Sequence, residues 1–591
     1  MIPIFAIVPL LAGAFISLAM ARKATYVKHV AIASSIASLA VVLYMALYPG
    51  VVNSMTWFSL GGATANFVTS TAPLNLLLLV IVALMTPLIL VYSSGYMKVS
   101  SEQPRYYFLI CLFAASMMLF AISASFLTLM VAWEMLGITS YLLIGFWYWK
   151  ESASQAARKA ITTILAGDLA MLSALILIFH AYNSLDFSVV LHAPAASPAL
   201  YAALVLISVA AFTKSAQFPL NEWLADAMEG PTPVSAFLHS STMVKAGVFL
   251  VLVLFPLYKE ASLLGLFLVA GSATAIIGAL NALSEKHIKR ILAYSTMEDL
   301  GLMFVAIGLG SVVAALLLFV VQTFYKALLF MSSGIMMEAN DGRTDITSIY
   351  WDGSGKLLMG ATLVGVLSLA ALFPLGGFFG KAAVDASSNT LPMYALLLVV
   401  QFVSVIYIFR WFFIPLHRTP NVSETDVGIG YKTIPLSMLS PVLLLAIFAA
   451  LSSLTYLYLP GYLGFHPVAI SFGEWVAVTA TIAAGGYLAN FLYRRNVPAR
   501  ARAKTANGFF NRVAYSSPYI NMFYMLLARI LFSAAAAVSA FDGLLGSAVG
   551  YATGLSIKAA YLLRRAEDGQ TNVYIIAMVV GMIAIVAIFY L

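Results

Sequence analysis

Apolar runs of about 20 residues follow one another along nearly the whole chain, each long enough to cross the ~30 Å hydrocarbon layer of a bilayer. A segment in that layer finds no water, so it satisfies its backbone internally, as a helix. Of the 591 residues, 62% are hydrophobic and 9% charged, and the mean hydropathy is +0.97. No soluble domain hides that much apolar surface in its own core. The expected fold is an all-α polytopic membrane protein of about 16 transmembrane helices, running from Ile4 to Leu591. The opening MIPIFAIVPLLAG has neither a basic leader nor a small-residue cleavage site, and reads as the first span rather than a removed signal.

The formal net charge of +8 is not gathered into a basic patch interleaved with aromatics, so nucleic acid is not an indicated partner. The basic residues alternate by loop. Arg22, Lys23 and Lys28 follow span 1, Lys98 and Arg105 span 3, Lys150, Arg158 and Lys159 span 5, and Lys286, Lys289 and Arg290 span 9. The loops between, from Asn53 to Ala72 and from Asn183 to Pro198, carry almost no Lys or Arg. The positive-inside rule then puts the odd-numbered loops in the cytoplasm of a prokaryotic cell and both termini outside its plasma membrane. The single cysteine, Cys111, lies inside a span, which leaves neither a disulfide frame nor a cysteine-ligated cluster.

Two spans are interrupted by backbone breakers. TKSAQFPL places Pro219 five residues beyond Lys214, and LFPLGGFFGK places Pro374, Gly376 and Gly377 just before Lys381. Irregular backbone at membrane depth is tolerated beside protein or a polar cavity, and paired broken helices point to inverted repeats. The chain accordingly divides into spans 1–3 (1–104), a first five-helix half (105–258), a second inverted half (259–418) and spans 14–15 with a basic cytoplasmic stretch (419–514). A lateral amphipathic helix (515–568) and a final anchor (569–591) complete it. Arg529, Asp542 and Lys558 are awkward for a span and natural for a helix on the protein's flank. Gly546, Gly550 and Gly554 follow a spacing that permits close helix contact. Two extra spans are the alternative.

Charges inside spans carry the chemistry. Each costs roughly 3 kcal/mol at bilayer depth, so an intramembrane ionisable residue defaults to a transport pathway. Glu134, Lys214, Lys245, Lys326 and Lys381 all interrupt apolar segments. Buried lysine exchanges a proton at modest cost when a carboxylate is near, and Glu134 with Lys214 forms a candidate switching pair that Asp168 biases from the next helix. His239 and Lys245 fall on one expected span, about 9 Å apart along its axis, a gap that water bridges. Asp385 stands at i+4 from Lys381 and is its candidate partner, while Arg410 is expected to snorkel to the interface. No phosphate loop, dinucleotide fingerprint or zinc-helix pattern is present, so this chain brings no cofactor of its own to drive transport.

KSAQFPLNEWLADAMEGPTPVSAFLHSSTMVKAGVFLV, KRILAYSTMEDLGLM, TFYKALLFMSSG and WEMLGITSYLLIGF closely resemble the antiporter-like subunits of respiratory complex I. That family also includes subunits of Mrp cation/proton antiporters and of membrane-bound hydrogenases. The resemblance covers spans 3 to 13, and the long segment before the last span is similar to the lateral helix of the largest, most distal complex I subunit of this kind. It implies proton-transfer roles for Glu134, Lys214, His239, Lys326 and Lys381, and a tuning role for Asp168. Lys245 looks like the Mrp large subunit or sister subunits. Where the family's large subunit carries two histidines before the span-11 lysine, this chain has Leu318 and Gln322, so any relay there rests on Gln322 and water. Ala382 stands where an acid usually follows the span-12 lysine, and Asp385 is offered one turn later. The Glu298–Asp299 pair resembles hydrogenase-type sequences.

The resemblance implies a proton-translocating subunit of a complex I-like quinone oxidoreductase that takes electrons from NADH or another donor, and the departures from the family pattern point to an archaeal or otherwise divergent complex. It has no redox activity of its own. Flavin and iron–sulfur clusters would sit in partner subunits, quinone elsewhere in the complex, and other antiporter-like and core subunits and membrane lipid beside this chain. The alternatives are a subunit of an energy-converting membrane-bound hydrogenase, an Mrp-type antiporter, and an inorganic-carbon uptake subunit. Against the second stands the expected end of the chain soon after span 16, where the Mrp large subunit continues.

Overall fold

The computed structural model describes residues 3–20, 24–60, 63–98, 100, 102–192, 197–351, 355–417 and 434–493. The expected lateral helix, final anchor and basic cytoplasmic stretch lie outside the described residues.

The chain opens with α1 (Val8–Ala19) and α2 (Ala24–Ala46), then a hairpin of β1 (Val52–Leu60) and β2 (Ala63–Ser70). Next come α3 (Pro73–Tyr96), α4 (Gln103–Ile122), α5 (Phe126–Ile144) and α6 (Glu151–Tyr182), with the short α7 (Phe187–Val190) leading to α8 (Pro198–Lys214). The middle of the chain holds α9 (Trp223–Asp226), α10 (Thr232–Ser240), α11 (Met243–Val253), α12 (Phe255–Glu260), α13 (Leu264–Ser284), α14 (Ile288–Gly308) and α15 (Val312–Ala339). It continues with α16 (Lys356–Leu369), α17 (Gly376–Ala386), α18 (Leu391–His417), α19 (Leu436–Leu451), α20 (Thr455–Tyr462) and α21 (Phe472–Tyr493). Among the described residues, 12 helices are long and apolar enough to cross a membrane, and Pro3–Ala19, Pro198–Lys214 and Lys356–Leu369 form shorter apolar helices. The protein is a helical, multi-pass membrane protein.

Burial sorts the helices into an interior and a rim. The α14 and α15 spans and the Thr232–Val253 span are almost wholly buried, whereas α2 and α21 show most of their surface. The exposed side chains are apolar, among them Leu169, Ile176 and Val269, which suits lipid contact. The interior column contains nearly every intramembrane charge.

The Asn53–Ala72 loop contains the antiparallel hairpin, with Val52 opposite Ser70 and Met55 opposite Phe67. Among the described residues this otherwise helical fold thus carries one two-stranded sheet, from a segment of strand-favouring Val, Thr, Trp and Phe. Its inner strand is bolted to the start of α5: the Val68 amide donates to Thr128 Oγ1 at 2.9 Å, and the Ala124 amide to the Val68 carbonyl at 2.9 Å.

Both expected breaks exist, and their geometry repeats. After α8, Ala216 takes φ +47° and the Gln217 amide reaches back to the Phe212 carbonyl at 2.9 Å. After α16, Ala371 takes φ +63° and the Leu372 amide reaches back to the Leu367 carbonyl at 2.9 Å. Each is a left-handed helix stop with the amide bonded five residues back, on the shared pattern Ala-x-Phe-Pro-Leu at 216–220 and 371–375. The carbonyl of Thr213 accepts the Ala216 amide at 3.3 Å and the Trp223 indole at 2.9 Å. Gly377 is required at the second break, because a Cβ there would lie 1.7 Å from the Ser368 carbonyl oxygen.

A third break was not foreseen. His239 and Lys245 share the Thr232–Val253 span, as expected, but that span is divided into α10 and α11 with Ser241 and Thr242 unwound between them. Ser240 Oγ donates to the Ala236 carbonyl, and Thr242 Oγ1 to the Phe237 carbonyl at 2.6 Å. The hydroxyls of Ser240 and Thr242 compete for carbonyls that amides would otherwise take, and the helix opens.

Candidate functional site

The first charged group forms where α5, α6 and α8 meet. Lys214, the last residue of α8 before the break, is fully buried. Its ammonium donates to the Trp133 carbonyl at 2.6 Å, faces the Trp133 ring at 4.6 Å from its centroid, and stands 3.8 Å from Asp168 Oδ1. The Trp133 indole also donates to Asp168 Oδ1, at 2.7 Å. Gly137 makes the space: a Cβ there would come within 3.2 Å of Lys214 Nζ and 3.7 Å of Asp168 Oδ2. Glu134, the partner expected from the sequence, is only half-buried, and the carboxylate within ion-pair distance of Lys214 is that of Asp168. The roughly 100° between adjacent residues on a helix explains it: Trp133 turns into the α5–α6–α8 junction and its neighbour Glu134 lies to the side.

Between this charged group and the second, the interior holds His239, Gln322 and Lys245, and Lys245 is held by polar and aromatic groups of α15. His239 is fully buried against the Phe330 ring, with centroids 5.8 Å apart, and neither ring nitrogen has a hydrogen-bond partner. Gln322 donates to the His239 carbonyl at 3.4 Å and keeps its own Oε1 unpaired. Lys245 donates to the Phe319 carbonyl and to Thr323 Oγ1, and its ammonium lies 4.5 Å from the Phe319 ring centroid. Its three partners all belong to α15, whose side chains therefore hold a cation projecting from α11.

The second charged group is larger. Lys326 on α15 stands 3.1 Å from Asp299 Oδ2 and donates to Ser295 Oγ. Lys381 on α17 stands 3.7 Å from Asp299 Oδ1 and 3.2 Å from Glu298 Oε1. Tyr325 donates to Asp299 Oδ2 at 3.0 Å, Tyr407 to Glu298 Oε2 at 2.8 Å, and Ser404 to Glu298 Oε1. Two carboxylates and two ammoniums, all buried, make a neutral cluster of alternating sign. Such a group is tolerated in a low dielectric only when each charge is paired and hydrogen-bonded.

Asp385, the expected partner of Lys381, is buried on the same helix, but α14 supplies the carboxylates that Lys381 reaches, and Asp385 Oδ2 has no hydrogen bond. The sequence pattern that signals Glu298 and Asp299 is two adjacent acids inside an otherwise apolar span, the same signal that singled out Glu134. Arg410 does not snorkel. It is buried, and its guanidinium closes the end of α13, donating to the carbonyls of Leu283 and Glu285 at 2.8 Å each and Ala282 at 3.4 Å. Terminal helix carbonyls carry partial negative charge and have no amide of their own, so a buried cation is stable there. Among the described residues, no group of three or more His, Cys, Asp or Glu is arranged to hold a metal ion.

Comparison with known proteins agrees with this architecture. The family described as "NADH:quinone oxidoreductase/Mrp antiporter, TM" matches residues 123–407, and "NADH-Ubiquinone oxidoreductase (complex I), chain 5 N-terminus" matches residues 57–107. Over these stretches the chain is similar to the NADH:quinone oxidoreductase/Mrp antiporter family. Every buried lysine described above falls inside the first match. The chain is 36% identical over 381 residues to NAD(P)H-quinone oxidoreductase subunit 5 of Paulinella chromatophora, covering 61% of this chain and 57% of that protein. It is 37% identical over 335 residues to NADH-quinone oxidoreductase subunit L of Mycobacterium tuberculosis, covering 56% and 53%. These alignments span about half the length of the family relatives. Among solved structures, the Mrp complex from Dietzia sp. DQ12-45-1b contains a chain of the same fold, with TM-score 0.70, 24% identity and coverage of 90% of this chain and 63% of that one.

Proposed function

We propose that this chain moves protons across a prokaryotic plasma membrane as the antiporter-like subunit of a complex I-like quinone oxidoreductase. The observation that carries the reading is the line of buried ionisable groups through the helical interior, from Asp168 and Lys214 past His239 and Lys245 to Lys326 and Lys381. A structure that needed only stability would fill these positions with apolar residues, because a buried ion pair rarely outperforms them. Proton exchange is the use that requires them.

Lysine holds or releases its proton according to the carboxylate beside it. A charge change near Glu134 alters the hold of Asp168 on Lys214, and His239, whose ring nitrogens are unpaired, passes a proton between the halves. In this reading Asp168, Gln322 and Asp385 modulate the path. Protons enter from the cytoplasm and leave outward, with both termini of the chain outside. Each charge moved against the membrane potential costs roughly 2.3 kcal/mol per 100 mV, so redox chemistry in partner subunits, with their flavin, iron–sulfur clusters and quinone, provides the drive.

The test is to isolate the complex from its native membrane in mild detergent through a tag on this chain and to identify the co-purifying subunits by mass spectrometry. Quinone-reducing and iron–sulfur partners are the expected result. Recovery of small antiporter subunits alone would overturn the redox reading and make the same lysines an ion-exchange path.

A further inference from the structure

The acids of α14 are not accounted for by the relay as drawn. Adjacent residues on a helix point about 100° apart, yet Glu298 and Asp299 both engage the same ammonium, that of Lys381. Their surroundings differ in one respect. Both oxygens of Glu298 are occupied, Oε1 by Ser404 and Lys381 and Oε2 by Tyr407. Asp299 is lopsided: Oδ2 accepts from Tyr325 and contacts Lys326, while Oδ1 has no hydrogen bond and faces Lys381 at 3.7 Å. A carboxylate with one saturated and one open oxygen between two ammoniums is built as a bridge.

We propose that Asp299 carries the proton from Lys326 to Lys381, and that Glu298 is the fixed counterion that holds Lys381 in line to receive it. The proposal rests on the proton-path reading above. The steps balance. Lys381 releases its proton outward and becomes a neutral amine, leaving the cluster with one net negative charge. Lys326 transfers a proton from Nζ to Asp299 Oδ2 across 3.1 Å, giving a neutral amine and a neutral acid. The carboxyl rotates, its proton passes from the open oxygen to Lys381, and Asp299 is again an anion. A proton from the interior restores Lys326. No oxidant or co-reactant takes part, and at no point does the cluster hold more than one uncompensated charge. The Lys326–Lys381 junction thus needs neither an imidazole nor Gln322.

The groups that face Asp299 are Tyr325 and Lys326 from α15, Lys381 from α17, Glu298 on its own helix and Tyr407 from α18, with Lys245 of α11 near enough to feel its charge. Tyr325 donates one hydrogen bond to the anion and changes no charge, which makes it the gentler handle. The experiment uses the intact complex reconstituted in vesicles and measures turnover-driven proton flux with a pH dye. Asp299→Asn keeps shape and loses proton capacity. It is expected to lower flux at least tenfold with assembly retained, and Asp299→Glu to recover most of it. Glu298→Gln is expected to lower flux only two- to fourfold, with rescue by Glu298→Asp. If Asp299→Asn fails to assemble, Tyr325→Phe decides: loss of the bond that favours the anion moves the pH profile of flux to higher pH. Lys326→Ala and Lys381→Ala separate the two ideas. Wild-type flux in Asp299→Asn, or an unmoved profile in Tyr325→Phe, with flux abolished in both lysine variants, overturns the bridge and leaves the path. Wild-type flux in the lysine variants overturns the path itself.

Discussion

Lys214 is paired with Asp168 at 3.8 Å, and a double-mutant cycle tests whether this, rather than a pair with Glu134, is the working contact. Two unit charges at that separation attract by about 4 kcal/mol at an effective dielectric near 20. Asp168→Asn removes the charge while its amide oxygen still accepts from the Trp133 indole, and Lys214→Met removes the ammonium while keeping the stem. Each single change strands a buried charge and is expected to cost roughly 3 kcal/mol or more. The double change strands none, so it should cost less than the sum of the singles by roughly 3 kcal/mol. Hydrogen exchange of the amides at the end of α8, measured by mass spectrometry in the purified complex, reads the local opening free energy directly. The matching cycle with Glu134→Gln should show coupling well below that of Asp168. Coupling between Lys214 and Asp168 under about 0.5 kcal/mol, the ordinary scatter of additivity, would refute the pair.

Glu134→Gln alone should abolish coupled pumping while leaving assembly intact, checked by proton flux beside native electrophoresis of the complex. Arg410→Met should destabilise the complex by roughly 3 kcal/mol, from losing charge-assisted bonds to the end of α13, seen as a lowered Tm that Arg410→Lys partly restores. His287, in the connection before α14, is held down at about 4 by burial and by Lys289 and Arg290. Its Nδ1 accepts the amides of those two residues at 3.2 and 3.4 Å, so the fold requires it unprotonated. The unfolded chain takes up that proton more readily, near pH 6.5. The stability it contributes is therefore complete above about pH 6.5 and lost as pH falls toward 4. Exchange of the amides of residues 288–291 should accelerate over that window in the wild type and lose this dependence in His287→Asn.

What the sequence alone determined is what depends on local chemistry. Apolar runs specify spans because the bilayer leaves a chain no other way to satisfy its backbone, and Pro219 and Pro374 mark breaks because a ring in place of an amide hydrogen removes a helix hydrogen bond, although Pro87 and Pro441 are accommodated inside helices. The depth of Lys214, Lys245, Lys326 and Lys381 follows from the same runs. The breaks also share a pattern, Ala-x-Phe-Pro-Leu, whose meaning emerged only when Ala216 and Ala371 proved to adopt the same left-handed turn. The unwinding at Ser241–Thr242 was missed because hydroxyl competition for carbonyls is weak and decided by surroundings.

Partnership was decided by the tertiary structure. Spacing on one helix nominated Asp385 for Lys381 and neighbouring helices nominated Glu134 for Lys214, but helix rotation and packing delivered Glu298, Asp299 and Asp168 instead. Arg410 likewise meets the end of α13, more than a hundred residues earlier in the chain. Hydrophobicity is additive along a sequence and can be read residue by residue. An ion pair depends on two side chains meeting within 4 Å, and that distance exists only once the helices have packed.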